Sequence, residues 1–413
     1  METPGFLPCN RRCSHQSTHQ VTSPIKFYEA EWLRAWFQEC NCVWRKQFLI
    51  WIANLPSLWF VFFLSFFLFF FNRFFGAFCL CFVLSGLSSL LSLKMTNSST
   101  FCPVYRDLEP FTYFFYLVFL IGIIGSCFAT WAFIQKNTNH RCVSIYLINL
   151  LTADFLLTLA LPVKITVDLG VAPWKLRIFH CQVTACLIYI NMYLSIIFLA
   201  FVSIDRCLQL TYSCKIYRIQ EPGFAKMISA VVWLMVLLIM VPNMIIPIKD
   251  IKEKPNVGCM EFKNEFGRNW HLLTNFISIA IFFNFSAIIL ISNCLVIRQL
   301  YRNKDNENYP NVKRALISIL LVTTGYIICF VPYHIVRIPY TLSQTEVISD
   351  CSTRISLFKA KEATLLLAVS NLCFDPILYY HLSKAFRLKI TETFASHKES
   401  KAQKEKSRSE NNA

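Results

Sequence analysis

The sequence predicts an all-α protein, a seven-transmembrane-helix bundle followed by a short amphipathic helix on the cytoplasmic side. Two observations carry that prediction. Hydrophobic residues form 55% of the 413-residue chain and charged residues 15%, with a mean hydropathy of +0.46. That is more apolar surface than a soluble globule buries, so most of it must face lipid. A bilayer core is about 30 Å thick and takes roughly 20 apolar residues per helical crossing, and seven runs of that length follow Met95. Within lipid each backbone N–H and C=O must be satisfied inside its own segment, which the α-helix does.

The chain starts with a mixed, polar stretch at residues 1–47 and an apolar tract at 48–93 interrupted by Asn72 and Arg73; 13 of the 39 Phe lie between Phe48 and Phe82. A secretory signal has a short basic start and a short apolar stretch, which this arrangement does not match. Phe62 to Phe71 uses only Phe, Leu and Ser, whose codons can all be written with pyrimidines, as if a non-coding tract were translated. An extra span or hairpin is the competing reading, and residues 1–94 are expected to be an extension outside the working bundle, with Met95 its natural start. Cys9, Cys13, Cys40 and Cys42 match no common zinc spacing.

Residues 95–110 then form an outer N-terminal segment, 111–380 the bundle, and 381–413 a cytoplasmic helix and tail. The spans are expected near 111–134, 143–165, 181–205, 225–247, 271–297, 314–339 and 359–380. The sequon Asn97-Ser98-Ser99 can be glycosylated only on the outer side, just ahead of the first span. The tail agrees, because Lys384, Arg387, Lys389, Lys398, Lys401, Lys404, Lys406 and Arg408 follow the last span and positive loops stay inside. Loop charge elsewhere is less decisive: 248–269 carries Lys249, Lys252, Lys254, Lys263 and Arg268 as well as four acids. The net charge of +16 does not indicate nucleic acid, since no basic face is interleaved with stacking aromatics. Attraction to a membrane surface accounts for it.

Chemistry sits at five places in the spans. The second contains Asn149-Leu150-Leu151-Thr152-Ala153-Asp154, and the third ends in Ser203-Ile204-Asp205-Arg206-Cys207. Trp233 lies in the fourth, Cys329-Phe330-Val331-Pro332 in the sixth and Asp375-Pro376-Ile377-Leu378-Tyr379 in the seventh. An ionisable Asp154 at mid-membrane depth is costly unless paired or hydrated, which marks it as functional. Asp205 beside Arg206 can hold the guanidinium in one state and release it in another. Pro332 and Pro376 each remove a backbone hydrogen bond and kink their helices, giving elements a ligand can bias.

Five motifs in this order, over essentially all of 95–400, resemble the rhodopsin-like G-protein-coupled receptors, and within them the purinergic nucleotide-receptor branch. The resemblance implies a multi-pass plasma-membrane receptor that catalyses no covalent chemistry. It makes Asp205, Arg206 and Tyr379 the G-protein switch. It groups Asp154, Asn191, Ser195, Asn371 and Asp375 around a cavity that this family often fills with a sodium ion, the competing reading being a protonated, hydrogen-bonded Asp154 without metal. No other cofactor is implied. It pairs Cys181 with Cys259 over the pocket and Cys102 with Cys351, and both bridges need an oxidising outer face. Cys127, Cys186, Cys294, Cys329 and Cys373 are expected to pack within helices.

The same resemblance lines an outer pocket with Lys164, Tyr189, Asn243, His334, Arg337, Tyr340 and Lys361. His334 and Arg337 lie three apart and so share a helical face. Arg offers a planar fork and Lys a compact charge, so Lys164, Arg337 and Lys361 together favour an anionic extracellular ligand, with Tyr189 stacking on a base or ring. Singly, each cation could instead snorkel or pair with Glu362 or Asp168. A nucleotide and a neuropeptide with a free carboxyl terminus present the same charge, and both stay open. The branch implies an inhibitory G protein that lowers cyclic AMP, with Arg298, Arg302, Lys304, Lys313 and Arg314 flanking the inner loop. Ser396, Ser400, Ser407 and Ser409 could take phosphate for arrestin.

Departures from the family pattern are Cys207 for its aromatic, Gly125-Ser126 for Gly-Asn, Asn284 for a fifth-span proline and Ser292 for a tyrosine. They bear on switch energetics rather than on fold. A transporter would show an internal repeat or paired broken helices, and neither is visible. A membrane enzyme would need a nucleophile and a base, yet neither a His-Glu-x-x-His nor a Gly-x-Ser-x-Gly motif occurs.

Overall fold

The computed structural model describes residues 109–135, 142–211, 218–249, 251–253, 258–302, 309–344, 348, 350–383 and 386–393. The expectations for residues 1–94, Asn97, Cys102, Lys304 and the tail serines lie outside them. Among the described residues seven helices are long and apolar enough to cross a membrane. They are α1 (Glu109–Gln135), α2 (Cys142–Asp168), α3 (Trp174–Leu210), α4 (Pro222–Met240), α5 (Glu265–Arg302), α6 (Tyr309–Gln344) and α7 (Cys351–Leu382). The all-α expectation therefore holds for the described residues.

Burial separates the helices. In the membrane-crossing core of α3, 83% of residues are buried against neighbours, compared with 33% in α1 and α4, so α3 runs through the centre and the other two along the rim. On α4, Met227, Val231, Leu234 and Leu238 are exposed while Ala225, Ile228, Val232 and Val236 are buried. These sets repeat at helical spacing on opposite faces, as a helix with one side on lipid requires. The α1 and α7 backbones approach closely. A Cβ at Gly125 would stand 2.8 Å from Pro376 Cγ, and one at Gly122 would stand 3.0 Å from Leu372 Cδ1.

Helix ends depart from the expected bounds because apolar length marks hydrocarbon thickness, whereas the helices run past it. α3 starts at Trp174, about two turns ahead of the predicted residue 181, and passes through a π-helical turn at His180–Thr184 before its main α-helical stretch, which begins at Ala185. Gly170 (φ +74°) turns the chain ahead of it, and Arg177 Nε and Nη2 donate to the carbonyls of Ala172 (3.1 Å) and Gly170 (3.2 Å). α7 starts at Cys351, where Asp350 Oδ2 accepts from Thr353 N at 2.8 Å. The Thr353 hydroxyl donates to the same oxygen at 2.6 Å, and this bond together with the backbone one holds the Asp350 carboxylate below its ordinary pKa range. α7 breaks at Ser370 and resumes over Asn371–Leu382, with Pro376 inside.

Residues 386–393 are helical, as expected after the seventh span. Their apolar side packs on α1. The Phe386 ring lies 5.7 Å from that of Phe133 and 5.9 Å from that of Phe128, and Lys389 Nζ sits 5.2 Å above Trp131.

Candidate functional site

At one end of the bundle the Cys181–Cys259 disulfide, Cα–Cα 5.1 Å, ties the start of α3 to the α4–α5 connection. Ile248 pairs antiparallel with Lys263, and Lys249 N donates to Phe262 O at 2.8 Å. Phe262 is buried against Trp174, ring centroids 5.3 Å apart, and Asn264 Oδ1 caps α5 by accepting from Gly267 N at 2.6 Å. The loop is thereby held as a lid. Cys351 is also disulfide-bonded; its expected partner Cys102 lies outside the described residues.

Beneath the lid the expected cations meet, and two of them meet carboxylates. Lys164 Nζ lies 2.8 Å from Asp168 Oδ2 and 3.1 Å from Glu362 Oε2, and Lys361 pairs with the other Glu362 oxygen. One α7 carboxylate thus bridges two lysines. Arg337 has a different setting. Its Nη2 donates to Asn275 Oδ1 at 2.6 Å, and its guanidinium lies 5.5 Å from the Tyr189 ring and 5.7 Å from the Tyr340 ring. Among the described residues no carboxylate pairs with Arg337. Lys263, on the lid, has no carboxylate there either; its Nζ donates to Asn243 Oδ1 at 3.4 Å. Burial lowers the Lys263 pKa, with the nearby Cys186 and Tyr189 side chains pulling it back up. Four cations against Asp168 and Glu362 leave two positive charges in excess, on Arg337 and Lys263.

Deeper, His334 Nδ1 donates to Phe330 O (2.8 Å) and the ring lies flat on Phe282, ring centroids 3.8 Å apart. Tyr193 and Tyr333 meet its edges, and Tyr189 contacts Tyr333. Asn275 Nδ2 and His334 Nε2 are buried without hydrogen-bond partners. The wall under Arg337 is therefore rich in aromatic faces and carries unused polar atoms. Below it, the Ser286 and Tyr326 hydroxyls bond α5 to α6, as does Asn293 Nδ2 to Thr323 Oγ1 at 2.7 Å. Asn284, where the family pattern has proline, gives its amide to its own helix at Ala280 O, 2.8 Å.

At mid-depth Asp154 accepts from Asn191 Nδ2 (3.0 Å) and Tyr379 Oη (2.7 Å), and Asp375 Oδ2 accepts from Asn371 Nδ2 at 2.6 Å. Ser195, Asp375 and Asp154 are all buried. Four of the five expected residues, Asp154, Asn191, Asn371 and Asp375, are joined by these contacts, with Tyr379 added from the switch, and Ser195 is buried one turn after Asn191 on the same helix. Asn149 Oδ1 accepts from Trp233 Nε1 at 2.9 Å, joining the second-span motif to α4.

At the opposite end Arg206 Nη2 donates to the carbonyl of Leu382 at 2.8 Å, and its Nη1 to Gln209 Oε1 at 2.9 Å. Gln209 Nε2 donates in turn to Asp205 Oδ2 at 2.5 Å. Gln209 thus bridges Asp205 and Arg206, whose charges also act on each other. Cys207, in place of an aromatic, is buried with Val296, Leu300 and Ile319 of α5 and α6.

Residues 125–379 match the profile described as 7 transmembrane receptor (rhodopsin family). The chain belongs to that family. It is similar to the G-protein coupled receptor 171 of Bos taurus, 99% identical over 319 residues that cover 77% of this chain and 100% of that protein. The Homo sapiens G-protein coupled receptor 171 is 93% identical over 319 residues, again 77% of this chain and 100% of that protein. The Bos taurus purinoceptor 14 is 36% identical over 296 residues, 69% of this chain and 86% of that protein. These relatives place the receptor in the purinoceptor-like branch. It is a multi-pass plasma-membrane protein and not an enzyme.

The mid-depth residues of this receptor offer carboxylate, amide and hydroxyl oxygens. Two carboxylates face each other closely there, and Ser195 Oγ has no hydrogen-bond partner. Oxygen donors of this type suit ions that carboxylate and hydroxyl bind, not zinc. Among the described residues no cluster of three His, Cys, Asp or Glu side chains is placed to hold a metal. Three residues of the pocket and switch were not read as such from the sequence: Lys263, Asn275 and Gln209. Lys263 lies four residues past Cys259, which the disulfide pins over the pocket, and that spacing was the available signal. Asn275 and Gln209 carried none. Of the free cysteines, Cys186 and Cys329 are buried in helices as expected, whereas Cys127 and Cys294 are exposed on lipid-facing surface.

Proposed function

We propose that the lidded end faces outward and binds an anionic extracellular ligand, and that the Arg206 end faces the cytosol and couples to an inhibitory G protein, lowering cyclic AMP. The observation that carries this reading is Arg337, a buried guanidinium with aromatic faces on two sides and no carboxylate among the described residues. A desolvated cation of this kind is stabilised by an incoming anion. Orientation is supported by the sequon at Asn97, by the basic tail, and by disulfides, which persist on the oxidising side. The likeness to the purinoceptor branch supports the inhibitory G protein.

The relatives' name, purinoceptor, supports a nucleotide. The pocket's charge supports a second reading, a peptide carboxyl terminus. Glu362 and Asp168 already neutralise Lys164 and Lys361, which leaves Arg337 and Lys263 to match one or two negative charges rather than a polyphosphate. Asp154, Asp375, Ser195, Asn191 and Asn371 would hold a sodium ion, whose charge would offset the two carboxylates. Phosphate on the tail serines would recruit arrestin.

The test is inhibition of cyclic AMP in cells expressing the chain or its Arg337→Ala variant. The probes are nucleoside di- and triphosphates and peptides with free or amidated carboxyl termini. Loss of one charge-assisted contact predicts a rightward shift of about 10- to 100-fold in the Arg337→Ala variant. An unshifted response to every active probe removes the pocket.

A further inference from the structure

We propose that Gln209 is a positioning residue for G-protein coupling, whose side-chain amide parks the Arg206 guanidinium on the last carbonyl of α7. The proposal rests on the reading that Arg206 meets the G protein. Asp205 and Arg206 lie four and three residues before Gln209, so all three share one face of α3. An amide has one donating and one accepting end. Gln209 gives the first to Asp205 (2.5 Å) and the second to Arg206 (2.9 Å), a pairing that neither Glu nor Lys can make without repelling one partner.

So held, Arg206 reaches Leu382 O at 2.8 Å. Leu382 ends α7, and the carbonyls of a last helical turn lack partners within the helix. A cation there satisfies one of them and meets the negative end of the helix dipole. Guanidinium N–H groups that cap α7 are not at the same time available to an arriving G-protein helix. Gln209 therefore sets how often the guanidinium is withheld. The α7 segment it latches, Asn371–Leu382, is separated from the outer half by the break at Ser370 and is tied a second time by Tyr379 to Asp154.

The experiment uses the full chain in cells and reads, without added ligand, recruitment of an engineered inhibitory-type Gα probe by energy transfer, at matched surface abundance. Gln209 is exposed, so Gln209→Ala and the length-preserving Gln209→Met should both reach the surface. Each is expected to raise recruitment about three- to ten-fold, the order by which losing one charge-assisted bond shifts a two-state equilibrium. Arg206→Ala should fall to background. Recruitment by both Gln209 variants at or below the starting level overturns the proposal. So does a gain that persists in the Gln209→Ala/Arg206→Ala double variant, because the effect must run through the guanidinium. Full recruitment by Arg206→Ala alone instead overturns the coupling reading. Destabilisation alone lowers the signal and cannot produce the expected rise.

Discussion

Removing Glu362 tests the charge balance under the lid. Glu362, Lys164 and Lys361 are 7%, 4% and 12% exposed at their side chains, so little water screens them. At 3.1 Å from Lys164, a charge pair at an effective dielectric of 20 interacts by about 5 kcal/mol, and removing one partner of a buried pair costs about 3–5 kcal/mol net. Glu362→Ala leaves Lys164 with Asp168 and strands Lys361. At roughly 2–4 °C per kcal/mol, the thermal midpoint of the detergent-solubilised receptor should fall by roughly 6–20 °C. The buried thiols Cys142, Cys186, Cys207 and Cys329 report unfolding to a thiol-reactive dye. Lys361→Met/Glu362→Met removes one charge of each sign and keeps the Lys164–Asp168 pair, so it should recover most of the loss. A midpoint for Glu362→Ala within about 2 °C of the parent, or a double variant no better than the single, refutes the reasoning.

Three other outcomes follow. Gly125→Val should cost about 1–3 kcal/mol, because its Cβ would meet Pro376 Cγ at 2.8 Å, and the same thermal assay reads it. Cys181→Ser should cost about 2–5 kcal/mol and reduce surface abundance, measured by labelling intact cells. The folded pKa of Asp350 lies below its unfolded value of about 3.9, so its capping contribution is present at neutral pH and is lost as the pH falls through the lowered value. The midpoint difference between the parent and Asp350→Ala should therefore shrink as the pH falls below about 4.

Much of the fold was legible because lipid imposes a simple rule, about 20 apolar residues per crossing. The expected second span, 143–165, compares with Cys142–Asp168, while the seventh, expected at 359–380, extends back to Cys351. Its added turns carry Ser352, Thr353, Arg354 and Ser356, which hydropathy reads as loop although Asp350 caps them as helix. The polar core was legible too, since an acid at mid-depth must find partners, and Asp154 does. The net charge of the pocket was not. Lys164 and Glu362 are 198 residues apart, and counting cations along the chain does not reveal which of them meet carboxylates. The relay at Gln209 was hidden for a related reason, since one of its ends depends on Arg206 reaching a backbone carbonyl 176 residues away.

Sidedness tests the central claim most directly, because the account needs the cationic pocket and the Arg206 face in different aqueous compartments. Epitope tags placed beside Asn97 and after Ala413 can be probed with antibody in intact and then permeabilised cells. The account predicts that the Asn97 tag stains in intact cells and the Ala413 tag only after permeabilisation. Both tags staining before permeabilisation would contradict it.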